Sequence, residues 1–234
     1  SISGPNARNF LSELTDIDLS KEAFPFMKFR EGKVCGIDAR VFRISFTGEL
    51  AFEINVPARY GEFIWNEFIN HGKKYKITPY GTESMHVLRA EKGFIIVGQD
   101  TDGSVTPFDL NMDWIVSKKK EDFLGKRSFS RTDTSRSDRK KLVGLLVNDK
   151  KTILPEGSHV VEKAKSQPPM RMIGHISSSY YSPTKEYPIA LALLKDGTSR
   201  MGDEVEIPLM NGEIVKATVT DPIFYDKEGL RNNE

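Results

Sequence analysis

The chain has 234 residues, enough for one large domain or two small ones, with 38% hydrophobic and 29% charged residues. Lysine and arginine total 34 against 33 for aspartate and glutamate, and a net charge of +1 argues against a nucleic-acid footprint or a polybasic membrane anchor. Cys35 is the single cysteine, which excludes an intrachain disulfide and fits a reducing, cytoplasmic location, and no apolar run approaches the ~18 residues that span a bilayer.

The opening SISGPNARNF has neither the charged region nor the apolar region of a signal peptide. Ile2 to Pro5 reads as the end of a strand entering a helix, with Pro5 near the helix's first position. Residues 6–14 then place Ala7, Phe10, Leu11 and Leu14 at helical spacing. A chain that opens on the last residues of a strand is expected to be a piece whose partner strands lie upstream.

Residues 40–46 alternate, Thr47-Gly48 offers a turn, and GELAFEIN follows, so 40–56 is expected to be a hairpin. In its second strand Leu50, Phe52, Ile54 and Val56 share one face, and Glu49, Ala51, Glu53 and Asn55 the other. Pro57 closes that strand, and a helix is expected over 58–70, with Tyr60, Phe63, Ile64 and Phe68 as its apolar stripe and His71-Gly72 as its stop. A second helix is expected from Thr82 to Gly93, carrying Met85, Leu88, Arg89 and Glu91, followed by a short buried strand over 94–97. Residues 131–140 contain no apolar side chain and read as a linker. Beyond it, short strands are expected at 142–147, 158–163, 172–177, 189–194, 204–208 and 214–219, with Asn211-Gly212 as a type I′ turn. This spacing points to a small barrel or sandwich. The fold class is therefore α+β, an α+β domain over 1–130 followed by an antiparallel β-barrel or sandwich over 141–234.

Most candidate chemistry is absent from the pattern. The four histidines, at 71, 86, 159 and 175, form no metal spacing, and there is no Walker lysine, nucleophile elbow or G-x-G-x-x-G. The loop at 98–103 has some calcium-loop character but lacks the later ligands and the closing glutamate. Lys118 to Lys120 run directly into Glu121-Asp122 and read as a solvated surface. The glutamates of GELAFEIN remain. A carboxylate on a rigid strand can accept a bidentate pair of N–H donors, such as the edge of a pterin or guanine ring presents. The polar face of an amphipathic strand is the plainer reading of the same spacing.

The strings GELAFEINVP, YGTESMHVLRAEKGFIIVGQD, DFLGKRS, RKKLVGLLV, GHISSSYYSPT, IALALL and DPIFYD resemble, in family order, the aminomethyltransferase family of folate-dependent proteins. Within that family the resemblance is to the C-terminal region of the α subunit of heterotetrameric sarcosine oxidases. It implies a folate-binding fold with a C-terminal barrel, and tetrahydrofolate as the cofactor. It also implies that Glu53 meets the pterin, that Glu49 shapes the turn or the site wall, and that Arg89 and Tyr225 belong to the same site. The expected partners are folate, the other oxidase subunits and the missing N-terminal region, with FAD, FMN and NAD held elsewhere in the enzyme. Nucleic acid and membrane are not expected partners.

Two departures qualify the resemblance. Met85 stands where glycine-cleavage members usually carry an arginine, which favours the oxidase branch. The family's catalytic aspartate lies upstream, so no residue here takes its role, and the 234 residues alone are expected to be inactive. The implied activity is capture of the one-carbon unit from oxidised sarcosine as 5,10-methylenetetrahydrofolate. The alternatives are a glycine-cleavage-type aminomethyltransferase or folate-dependent demethylase, or a non-catalytic folate-binding protein. The last is disfavoured because residues 91–100 lack the reactive cysteine of that relative's motif.

Overall fold

The computed structural model describes residues 1–165 and 167–233. Two compact units make up the chain: residues 1–89 together with the chain from Asp226 onward, and Ala90–Tyr225. Among the described residues, no helix is long and apolar enough to cross a membrane.

In the first unit, β1 (Ile2–Ser3) leads into α1 (Ala7–Ser12), which buries Ala7, Phe10 and Leu11 at positions one helical face apart. Strands β2 (Phe29–Val34), β3 (Ile37–Phe42) and β4 (Ala51–Asn55) complete a four-stranded sheet in the order β1-β4-β3-β2. The strand β2 was not expected from the sequence. Its residues FREGKV are mostly polar and exposed, so they carry no alternation to read. The β2–β3 turn is formed by Cys35 and Gly36, with φ of +50° and +79°, between the paired Val34 and Ile37. Two positive φ values match the twist of the flanking strands as a type I′ turn requires, but with cysteine where asparagine is usual.

The expected β3–β4 pairing is present, with Phe42 opposite Glu53 and Arg40 opposite Asn55. Its connection is longer than the expected Thr47-Gly48 turn. Pairing stops at Phe42 and resumes at Ala51, so 43–50 is a loop. The reason is visible in Arg43, whose backbone N–H donates to Lys28 O and whose carbonyl accepts from Met27, drawing the chain toward the segment before β2. Helix α2 (Gly61–Gly72) and helix α3 (Thr82–Glu91) follow. The core gathers Phe10, Leu11, Phe24, Val41, Leu50 and Phe52, all 2% exposed or less. Phe10 meets Phe68 edge-on at 5.2 Å. Burying one such ring contributes roughly 1.5–3 kcal/mol.

The second unit is built on a closed antiparallel barrel. Its strands are β5 (Lys140–Val147), β6 (His159–Val161), β7 (Met172–Ser182), β8 (Tyr187–Lys195), β9 (Glu204–Pro208) and β10 (Ile214–Thr220). They close in the order β10-β5-β8-β7-β6-β9. Val143, Leu145, Ile176, Leu194, Ile207 and Ala217 fill the interior with no exposed surface.

Three expectations are corrected in this unit. Residues 94–97 are irregular chain entering a turn at Val97 and not a strand, because Ile96 N–H is taken by the Asp100 carboxylate at 2.8 Å and no ladder forms. The β9–β10 turn is not type I′. Gly212 alone takes a positive φ, +87°, and its N–H donates to Leu209 O at 3.0 Å while Leu209 N–H donates to Glu213 O at 2.8 Å. That is a tight turn with a glycine bulge. The segment 131–140 is not merely a spacer, because Arg139 is drawn inward to Asp109 at 2.7 Å.

Candidate functional site

Strand β4 alternates as the sequence indicated: Phe52 points into the core and Glu53 is exposed. Ala51 is the exception, at 1% exposure, because β1 pairs against it. The Asn55 side-chain amide donates to Glu53 Oε1 at 3.2 Å. Among the described residues, Glu53 has no other hydrogen-bond partner, so most of its acceptor capacity faces solvent. Glu49 sits in the loop before β4, its side chain 21% exposed, and pairs with Arg231 at 3.4 Å.

Arg89 and Tyr225 are placed differently from the glutamates. Arg89 is fully buried near the end of α3. Tyr225 closes the second unit, its backbone N–H donating to Glu91 O at 3.0 Å. Glu53 and Glu49 thus share one strand and its preceding loop, whereas Arg89 belongs to helix α3 and Tyr225 to the last residues of the second unit.

A cavity of about 650 Å³ opens in the first unit, on the other side of β4. Ile54 and Val56, which alternate with Glu53, line it together with Phe10, Trp65, Tyr80 and Met85. The wall is mostly apolar and aromatic, and the Ser3 and Tyr80 hydroxyls meet at 3.3 Å beside it. Neither glutamate lines this cavity. Met85, singled out from the sequence, does.

The sequence reading missed Arg43, which is 2% exposed. Its Nη1 donates to Ala51 O at 3.2 Å and to Asn232 Oδ1 at 3.1 Å, and its Nη2 donates to Asn232 O. The guanidinium lies 5.3 Å from the Phe52 ring centroid and 5.6 Å from that of Phe26. Burial pushes its pKa down to about 10, with the nearby Arg8 charge adding to the effect. The only sequence signal was an arginine inside an alternating run, which is indistinguishable from an exposed one.

Buried carboxylates in the second unit are spoken for. Asp100 accepts from Ser177 Oγ at 2.5 Å and Ser178 Oγ at 2.7 Å, besides the Ile96 amide. Glu91 accepts from the hydroxyls of Ser182 at 2.5 Å and Thr184 at 3.0 Å. These groups fasten residues 91–100 to strand β7 and its end. Among the described residues, no cluster of three or more His, Cys, Asp or Glu side chains could hold a metal ion.

Compared with known families, residues 1–120 match the GCVT N-terminal domain and residues 140–226 the glycine cleavage T-protein C-terminal barrel domain. The sarcosine oxidase subunit alpha of Corynebacterium sp. (strain P-1) is 48% identical over 98% of this chain and 24% of its own length. That of Rhizobium meliloti (strain 1021) is 39% identical over 98% of this chain and 24% of its own length. An aminomethyltransferase from Thermoanaerobacter sp. (strain X514) is 31% identical over 97% of this chain and 59% of its own. The crystal structure of the glycine cleavage system aminomethyltransferase T from Bartonella henselae shares the fold, with a TM-score of 0.78 at 22% identity, over 96% of this chain and 58% of that one. The chain thus spans about a quarter of the oxidase subunits and under two thirds of the transferases it matches.

Proposed function

Because this chain belongs to the glycine cleavage T-protein (GCVT) family, we propose that it is the tetrahydrofolate-binding part of a sarcosine oxidase α subunit. In this reading it captures the one-carbon unit of oxidised sarcosine as 5,10-methylenetetrahydrofolate. The observation that carries the reading is the 48% identity to an oxidase α subunit over 98% of the chain, against 31% for a transferase over a similar span. The division into a folate-binding domain over 1–130 and a barrel domain over 141–234 is part of the same proposal, as is a cytoplasmic location.

The residues present fit a pterin ring. Glu53 is exposed on a strand fixed by pairing on both sides of its backbone ladder, and its carboxylate has acceptor capacity that the Asn55 amide does not use. A pterin's N–H and NH₂ edge is a matching pair of donors, and a pre-set carboxylate meets it with little reorganisation. Glu49, tied to Arg231, shapes the wall rather than meeting the ring. Arg89 and Tyr225 complete the proposed folate residues. Bound tetrahydrofolate would supply two nucleophilic nitrogens, N5 and N10, for capture of a carbon at the formaldehyde level. This chain's contribution is to hold that ring and keep water from a labile electrophile. Proton transfer is assigned to no residue here, and FAD, FMN and NAD are assigned to other domains or subunits.

The fold likeness to a glycine-cleavage transferase keeps aminomethyl transfer as the second reading, against which Met85 in the cavity wall counts. The complete polypeptide with its partner subunits decides between them. With sarcosine and tetrahydrofolate it should form 5,10-methylenetetrahydrofolate and release less free formaldehyde than without folate. Formaldehyde release that ignores tetrahydrofolate would overturn the first reading, and turnover of an aminomethyl-lipoyl donor would establish the second.

A further inference from the structure

Arg43 is a buried cation that the proposed chemistry does not use, and it joins three separate stretches of the first unit. Its backbone opens the loop that follows β3, and its side chain donates to the carbonyl of Ala51, the first residue of β4. Two further donations go to Asn232, far along the chain. Residues 226–233 are themselves folded back by Asp226. Its carboxylate accepts from Leu230 N–H at 2.9 Å and Arg231 N–H at 3.3 Å, and Gly229 N–H donates to its carbonyl at 2.9 Å. Beside this, Arg231 meets Glu49.

We infer that residues 226–233 form a strap which, through Asn232 and Arg43, holds the 43–50 loop and the start of β4, making Arg43 and Asn232 positioning residues for Glu53. The inference rests on the folate reading above. The physical ground is the acceptor count around a guanidinium withdrawn from water. Of the three acceptors Arg43 uses, two belong to Asn232 and one to Ala51. If the strap leaves, a charged group at 2% exposure keeps a single carbonyl, and a buried cation so poorly served must turn toward water. Turning releases Ala51 O and withdraws the guanidinium from the Phe52 ring. Ala51 lies two positions before Glu53, so the strand that aims the carboxylate loses its anchor at the end nearest the loop. The Glu49–Arg231 pair, half exposed, is the weaker clip of the same strap.

The test uses Asn232→Ala and Asn232→Asp in the complete polypeptide, with Glu53→Gln as the control for folate binding. Alanine removes the side-chain acceptor, whereas aspartate keeps one and adds a charge facing Arg43. Hydrogen exchange of the amides over 43–52 and the tetrahydrofolate Kd are measured for each. Asn232→Ala should speed exchange in that loop and raise the Kd by about tenfold each, the loss of one charge-assisted hydrogen bond, while Asn232→Asp stays close to the unaltered protein. Unchanged exchange in Asn232→Ala overturns the strap, whatever the folate result. Faster exchange with an unchanged Kd, when Glu53→Gln does weaken binding, overturns the positioning role. If Glu53→Gln also leaves the Kd unchanged, the folate reading fails, and the positioning role falls with it although the strap stands.

Discussion

Asp100 and Glu53 are both carboxylates beside a β-strand, one in each unit, and their surroundings are opposite. Asp100 is 1% exposed and receives two serine hydroxyls and a backbone amide. Glu53 stands in solvent with one amide at 3.2 Å. In the first unit the buried charges Arg43 and Arg89 are instead cations, and Arg43 is served by neutral acceptors. A carboxylate already supplied with donors has spent its binding capacity on the fold, whereas one on a rigid strand with vacant lone pairs can still read a ligand. The same residue type therefore staples the barrel unit and stays available in the other. Substitutions at the two kinds of carboxylate should separate stability from binding.

The largest effect is expected at Asp109, the third buried carboxylate of the barrel unit. It accepts from the Thr106 amide and hydroxyl and pairs with Arg139 at 2.7 Å and Lys141 at 3.3 Å. Burial by itself would raise its pKa, but Arg139 and the Thr106 donors more than offset this and hold it below the ordinary carboxylate value. Asp109→Ala leaves two cations facing a vacated site and should cost about 3–5 kcal/mol in urea unfolding. A depressed folded pKa gives stabilisation that is present above the unfolded value and lost as pH falls through the folded one. Acid should therefore narrow the gap between Asp109→Ala and the unaltered protein. A gap that is constant with pH would remove Asp109 from the stapling set.

The second expectation reverses the readout. Glu53→Gln replaces an acceptor oxygen with a donor facing the pterin's N–H groups, and should weaken tetrahydrofolate binding by about 2–4 kcal/mol in the complete polypeptide. Unfolding should not move, because the side chain is exposed and stabilises little. Calorimetry showing unchanged affinity would take Glu53 out of the site. A lost melting transition would instead place it among the structural carboxylates, breaking the contrast.

The contrast between the units also governs what could be read from the sequence. Each barrel strand was legible, and 204–208 coincides with β9, because short strand-forming runs are separated by turn-forming Gly, Pro, Asn or Ser. The first unit hid β2, whose exposed FREGKV gives no period, and the Cys35-Gly36 turn, whose cysteine is not a customary turn residue. Glu53 was legible because a strand fixes which face a residue takes. Arg43 was not, since its burial depends on Asn232, almost the whole chain away. Nor did any local pattern foretell that 94–97 would surrender its Ile96 amide to Asp100 in place of forming a strand. Long-range side-chain hydrogen bonds leave no periodic trace.

A smaller effect should follow from thinning the donors around Asp100. Ser177→Ala removes the 2.5 Å hydroxyl, while the Ser178 hydroxyl and the Ile96 amide still donate to the carboxylate. The expected loss is about 1–3 kcal/mol in urea unfolding, with tetrahydrofolate affinity unchanged. A variant as stable as the unaltered protein would mean that Asp100 has more donor supply than its burial needs.

The smallest effect is expected at His175 on β7, where the barrel's titration can be isolated. His175 faces His159 across the β6–β7 pair, and Lys140 Nζ lies 3.5 Å from its Nδ1. Burial lowers its pKa first, Lys140 and His159 lower it further, and Asp102 opposes them. As pH falls below the ordinary histidine value of about 6.5, the unfolded chain takes up this proton before the folded one does. The folded state then loses relative stability on acidification, and the loss belongs to this side chain. His175→Gln keeps a polar group of similar reach without the titration, so its melting temperature should fall less than that of the unaltered protein between about pH 7.5 and 5.5. The difference is expected to be small, because the ring is only partly buried and the Asp102 charge offsets some of the penalty. Parallel melting curves across that interval would show that the ring reaches water freely when it is charged.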